Sequence, residues 1–211
     1  MGTGSYVAIA GIIFLAATVQ GVSGFGFSLL AVPLLAASIG AKEAVVLADT
    51  LGFLANGGMA VRLRADTVRP VAGRLLLGSC LGMPFGVLVI LAVDDQVLRA
   101  AIGVVVLLFV VVLARGWTLH RSSPALEVGT GVVSGVLNTS VGTSGPPIVL
   151  LLHARGLAPG PFRATASTVF GASAVIAVAL LAAAGQFTVE VAWGCLAALP
   201  GLAAGWWVGD R

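Results

Sequence analysis

Residues 138–147, Asn-Thr-Ser-Val-Gly-Thr-Ser-Gly-Pro-Pro, place five side-chain donors, two glycines and two prolines inside an otherwise apolar stretch. Pro146 and Pro147 lack a backbone N–H and disrupt a helix interior, yet proline suits the first turn of a helix that starts afresh. A helix restarting inside a membrane presents unpaired N–H groups and the positive end of its dipole. Such a terminus can hold an anion without a buried basic side chain, which would be costly to desolvate. A related interruption, Gly-Val-Ser-Gly-Phe-Gly-Phe-Ser, occurs at 21–28.

Together the two breaks define a candidate anion site. Ser23, Gly24, Phe25 and Gly26 come from the first. Asn138, Thr139, Ser140, Thr143, Ser144, Gly145 and Pro146 come from the second. The glycines admit close approach to the backbone, and the amide and hydroxyls add donors. The plain alternative is that these small residues only let helices pack closely. Arg163, in Pro-Phe-Arg-Ala-Thr, is either a topology anchor or a further anion contact. Asp49 is the one acid well inside an apolar run, which makes it a candidate for proton or cation coupling unless it reaches the outer interface. Gln20 and Asn56 suit hydrogen bonds between helices, and His153 suits the interface. Cys80 and Cys195 read as core-filling thiols, with neither a disulfide framework nor a metal site.

The elements that must position these residues follow from composition. Apolar residues make up 59% of the 211 and charged residues only 9%, against about 25% charged in a soluble domain. Mean hydropathy is +1.11. Apolar runs at 44–61, 75–92, 97–114, 164–184 and 191–208 approach the roughly 20 residues that cross a bilayer as a helix. The alternation of a membrane β-barrel is absent. The fold class is therefore an all-α polytopic membrane protein embedded in a lipid bilayer. The net charge of +3 comes from arginines at the ends of apolar runs, where topology explains it, so no nucleic-acid partner is expected. The N-terminus lacks a basic n-region, so the first segment is expected to stay in the mature chain.

Positive connections stay cytoplasmic. This places 62–74, 115–121 and 155–163 inside, and 40–43, 93–96 and 185–190 outside. Residues 125–154 must then enter and return on one side, which about 30 residues cannot do as two full spans. They are expected to form a re-entrant hairpin or two short helices meeting at the break, and 6–39 to do the same.

Val22-Ser23-Gly24 recurs as Val133-Ser134-Gly135, and Gly78, Gly82 and Gly86 recur as Gly201, Gly205 and Gly209. Both matches point to two repeats, 1–116 and 124–211, each a broken hairpin followed by transmembrane helices. An odd number of crossings per unit inverts the second copy, an arrangement found in many secondary transporters. By that symmetry the second repeat lacks its last helix.

Val-Gln-Gly-Val-Ser-Gly-Phe-Gly-Phe-Ser-Leu-Leu-Ala-Val-Pro at 19–33 resembles the first signature of the TauE/SafE family of sulfite and organosulfonate exporters. The run 131–165, from Gly-Val-Val-Ser-Gly to Pro-Phe-Arg-Ala-Thr, resembles the second. Phe27 and Ser28 stand where many members continue a glycine run. The resemblance implies a plasma- or inner-membrane permease for small sulfur-containing or carboxylate anions, with no cofactor. Two rivals remain open at this point. One is a passive anion channel. The other is an intramembrane protease, because Gly142-Thr143-Ser144-Gly145 matches the G-x-S-G of rhomboid-type enzymes. The protease would need His120 or His153 as base, and Gly21-Val22-Ser23-Gly24 spells the same pattern again. Coupling to a proton or cation and assembly into a homo-oligomer are left open.

Overall fold

The computed structural model describes residues 3–115 and 123–209. These form nine α-helices with one short 3₁₀ turn at Arg64–Asp66. The helices are α1 (Thr3–Ser23), α2 (Phe27–Ser38), α3 (Ala41–Arg62), α4 (Arg69–Ala92), α5 (Asp95–Ala114), α6 (Pro124–Val141), α7 (Gly145–Ala154), α8 (Pro159–Ala183) and α9 (Val189–Gly209). Six of them, α1, α3, α4, α5, α8 and α9, are long and apolar enough to cross a membrane. The five long apolar runs expected from the sequence fall within such helices, except that 164–184 runs one residue past the end of α8. His120 and Arg121, and most of the 115–121 connection, lie outside the described residues.

Proline and glycine mark the boundaries. Proline occupies the first turn of α4, α6, α7 and α8, where its missing N–H leaves no bond unmade. The Ser123 hydroxyl caps α6 by accepting from the Leu126 N–H at 3.2 Å. Gly142, at φ 66°, closes the C-terminus of α6 in the left-handed region, which glycine enters without a Cβ clash.

Large apolar side chains such as Leu77, Phe85, Leu88 and Leu107 face outward, while the interior is rich in Ala, Gly, Ser and Thr. Lipid is as apolar as leucine, so helices in it associate through close packing rather than through water exclusion. The two glycine rows do this work. A Cβ on Gly78, Gly82 or Gly86 would collide with the carbonyl of Val128, Val132 or Val136 on α6. A Cβ on Gly201, Gly205 or Gly209 would collide with the carbonyl of Ala10, Phe14 or Thr18 on α1. Hence α4 lies tightly on α6, and α9 on α1. One sequence match is corrected. Val133-Ser134-Gly135 lies in the middle of α6, whereas Val22-Ser23-Gly24 lies at the end of α1, so the two tripeptides do not occupy equivalent places.

Both broken segments double back. Glu127, near the start of α6, forms an ion pair with Arg155, just past α7. Its other carboxylate oxygen meets Arg74 Nη1 at 2.9 Å. Beside them, Val68 N–H donates to Thr165 Oγ1 at 3.0 Å. The connections after α3 and α7 therefore share one end with the start of α6, and that end carries most of the arginines. At the other end, Asp95 accepts from the Ala41 N–H at 2.6 Å, and Leu47, Gly194 and Ile9 meet. This end holds the start of α1, the junction of α2 with α3, and the starts of α5 and α9. The arms of each hairpin are unequal, 21 and 12 residues in the first and 18 and 10 in the second.

Candidate functional site

The two breaks meet in the interior. Phe25 and Gly26 from the first, and Asn138, Thr143, Ser144 and Gly145 from the second, line a single cavity of about 30 Å³. Helices α3 and α8 cross beside it, adding Asp49, Gly52, Asn56, Phe170 and Ala174. Gln20, on the last turns of α1, completes the polar rim. The cavity takes about one or two water molecules.

Local sequence explains each wall. Gly24 and Gly26 adopt φ values of 81° and 99°, which turn the chain from α1 into α2 without a Cβ penalty. Phe27, Ser28 and Leu29, the first turn of α2, line the cavity, and the N–H groups of a first turn have no acceptor within their helix. Ser134 fixes the second break by donating its hydroxyl to the Ser144 carbonyl at 2.8 Å. At α7, however, Pro146 and Pro147 carry no N–H. That helix end offers fewer backbone donors than a restarting helix normally would. The donor-rich terminus is α2.

Polar groups around the cavity are unevenly matched. Gln20 Nε2 donates to Asn56 Oδ1 at 2.7 Å, and Asn56 Nδ2 donates to the Gly52 carbonyl at 2.8 Å. That bears out the expected inter-helix hydrogen bond, although both residues also face the cavity. Asp49 is 3% exposed, and its Oδ2 has no hydrogen-bond partner. It points inward and not to the outer interface. Asn138 Nδ2 is a buried donor, also without a partner. Buried polar atoms are almost always satisfied, and here an unmatched acceptor and an unmatched donor stand on one cavity. The Phe27 ring stands 3.8 Å from where a Cβ on Gly52 would lie, and Phe170 the same distance from where one on Gly145 would lie. Two aromatic rings thus close the cavity against two glycines.

Other expected residues sit elsewhere. Ser23 is exposed, its hydroxyl within reach of the Val19 and Phe25 carbonyls. Thr139 Oγ1 donates to Met83 O at 2.7 Å, tying α6 to α4, and Ser140 donates back to Val136 O. Pro146 is buried in the first turn of α7. Arg163 does more than anchor a helix end. Its Nη2 donates to the Gly21 carbonyl at 3.1 Å, and its stem packs where a side chain on Gly24 would be. Arg163 lines a second cavity of about 290 Å³ at the arginine-rich end, with Arg62, Pro159 and Trp206. His153 stacks edge-on against Phe162 and makes a 3.2 Å contact with Val149 O. It does not line the cavity that holds Ser144. Cys80 is exposed and does not fill a core, and Cys195 is half-buried.

The sequence singled out the breaks and Asp49. It missed the cavity role of Gln20, Gly52, Asn56, Phe170 and Ala174, because each is unremarkable in its own helix. Only Gln20 and Asn56, as amides inside apolar spans, gave a signal that could have found them.

Among the described residues no cluster of His, Cys, Asp and Glu could hold a metal ion. The family model for the sulfite exporter TauE/SafE matches residues 9–211. No curated protein and no solved structure matches the chain.

Proposed function

The chain belongs to the sulfite exporter TauE/SafE family, and from that premise we propose that it moves small sulfur-containing anions, sulfite or organosulfonates, through the cavity between its two helix breaks. The family is one of membrane transporters and not of enzymes, and the six long apolar helices make the chain a multi-pass membrane protein. The observation that carries the proposal is the convergence of the α2 N-terminus with the unpaired Asn138 Nδ2 on one buried cavity. Oriented backbone and amide dipoles replace part of the water that a permeating anion must shed. A fixed arginine in the cavity would hold the anion too tightly for turnover. Arg163 is assigned instead to the arginine-rich vestibule that leads toward the Gly21–Gly24 turn.

The present cavity is smaller than a hydrated anion, so loading requires the helices around it to part. The glycine rows also give a register for the duplication. The residues of α1 that meet Gly201, Gly205 and Gly209 are 10, 14 and 18, and those of α6 that meet Gly78, Gly82 and Gly86 are 128, 132 and 136. The α1-to-α6 offset of 118 also pairs Gly24 with Gly142 (both at positive φ), Gln20 with Asn138, and Phe27 and Gly52 with Gly145 and Phe170, while the glycine rows of α4 and α9 stand 123 apart. This register supports an inverted repeat in which the Phe–Gly contact is reciprocated. The two repeats are interlocked, because α4 packs on α6 and α9 on α1 across the 116–122 connection, so opening of the cavity moves helices of both repeats together.

Purified protein in liposomes, loaded with sulfite or isethionate, tests the proposal. Saturable efflux that is lost in Asn138→Leu supports it. Efflux that rises linearly with concentration to the highest level reached would instead indicate a passive channel.

A further inference from the structure

The cavity read above as an anion site contains a carboxylate and no cation. Asp49 lies on its wall, 3% exposed, with Oδ2 unpartnered. We propose that a proton on Asp49 and the anion occupy the cavity together, so that both cross the membrane in the same direction. The inference rests on the anion reading of the central cavity and adds the sign of its coupling.

Among the described residues, the charges around Asp49 leave it without a counter-ion. Helix α2 carries no ionisable residue. On α5, Asp95 and Arg99 pair with each other beside the start of α3. On α6, Glu127 is held by Arg74 and Arg155 at the arginine-rich end. On α8 the one ionisable residue is Arg163, which lines the other cavity. Helix α9 offers Glu190 in its first turn and Cys195, which sits against Thr50. The remaining charges of α3 itself, Lys42, Glu43 and Arg62, are at its ends, and the turn after it carries Arg64 and Asp66. Helix α1 contributes Tyr6, near its outer end.

An anion entering beside ionised Asp49 would meet a like charge in a desolvated space, with no lining cation to offset it. Adding a proton to one carboxylate oxygen removes that repulsion and turns the side chain from acceptor into donor. Each ligand therefore strengthens binding of the other, and the effect is reciprocal. Exchange of a proton against the anion needs the opposite relation, in which each expels the other. With one proton per monoanion, no net charge crosses. The proton is taken from water on the loading side and returned to water on the other, leaving the carboxylate as it began.

Methanesulfonate and isethionate keep a single negative charge across the working pH range, so they probe the protein's proton and not their own. Sulfite is run beside them, compared between parent and Asp49→Asn so that its own titration cancels. In liposomes, a pH gradient of one unit should concentrate the anion about tenfold on the alkaline side, and clamping the membrane potential should not alter this. Asp49→Asn should still exchange the anion while losing the response to pH and gaining a response to voltage. Should Asp49→Asn fail to insert, Asp49→Glu, which keeps the titrating group, should retain the parent's sign. Accumulation on the acidic side, indifference to the pH gradient, or accumulation driven by a sodium gradient would each overturn the inference and leave the anion reading intact. Parent protein that moves none of the three anions would overturn both.

Discussion

Glu127 and Arg155 are separated by a full pass into the interior and back, yet their side chains form an ion pair at the mouth of the α6–α7 hairpin. The Glu127 side chain is fully buried, while Arg155 and its second partner Arg74 remain 29% and 38% exposed. Removing both arginines strips a fully buried carboxylate of two guanidinium partners. The Arg74→Ala/Arg155→Ala protein should lose about 3–5 kcal/mol of stability. Each single variant should lose much less, because the other arginine stays. Thermal melts in detergent, compared across the three variants and Glu127→Gln, check this. Near-additive small losses would mean that the pair does not close the hairpin.

Sidedness follows from the ends that the hairpins share. In a protein freed of Cys80 and Cys195, single cysteines at Thr67 and Ala158 should be labelled from the cytoplasmic face only. Cysteines at Asp94 and Gln186 should be labelled from the opposite face only. Labelling of Thr67 and Ala158 from different faces would contradict the hairpin.

Gly145 separates space from conformation. It does not sit at positive φ, and a Cβ there would make an ordinary 3.8 Å contact with Phe170. Gly145→Ala should therefore insert and transport close to the parent. Gly145→Val should insert but transport at least tenfold more slowly, by filling the approach to the backbone. Uptake by both variants at the parent rate would place the route elsewhere.

Gly82 and Gly205 are packing positions outside the cavity. A Cβ at either would collide with a backbone carbonyl of the facing helix, and a carbonyl cannot move aside as a flexible side chain can. Gly82→Val and Gly205→Val should sharply reduce the yield of folded protein, read by size-exclusion profile. Gly103, with open space around it, should tolerate alanine without change.

Ser144→Ala should weaken anion binding by about 1 kcal/mol, the worth of one hydrogen bond. That is roughly a fivefold rise in the half-saturating concentration, with the maximal rate unaltered. A larger loss would mean that the hydroxyl also holds the break together.

The sequence alone determined the membrane class, the long spans, both helix breaks and the glycine rows. Each of these is local: a run of apolar residues, closely spaced glycines or a Pro-Pro pair where a helix stops, a small residue every fourth position. It also implied that 125–154 returns to its starting side, through the placement of arginines. What it could not determine was register between distant helices. Val133-Ser134-Gly135 looked like the partner of Val22-Ser23-Gly24, but it lies in the middle of α6 and not at a break, whereas Gly24 and Gly142 both turn at positive φ where a helix ends. The cavity walls from α3 and α8 were equally hidden. Gly52, Phe170 and Ala174 are ordinary helical residues whose meaning comes only from the helix crossing opposite them. Arg163 reads along the chain as an interfacial charge, and only the fold carries its guanidinium to the carbonyl of Gly21. Asp49 was visible as an acid in an apolar run. That it faces a cavity with no cation on its wall is a property of six helices at once, and this is what gives its charge a consequence.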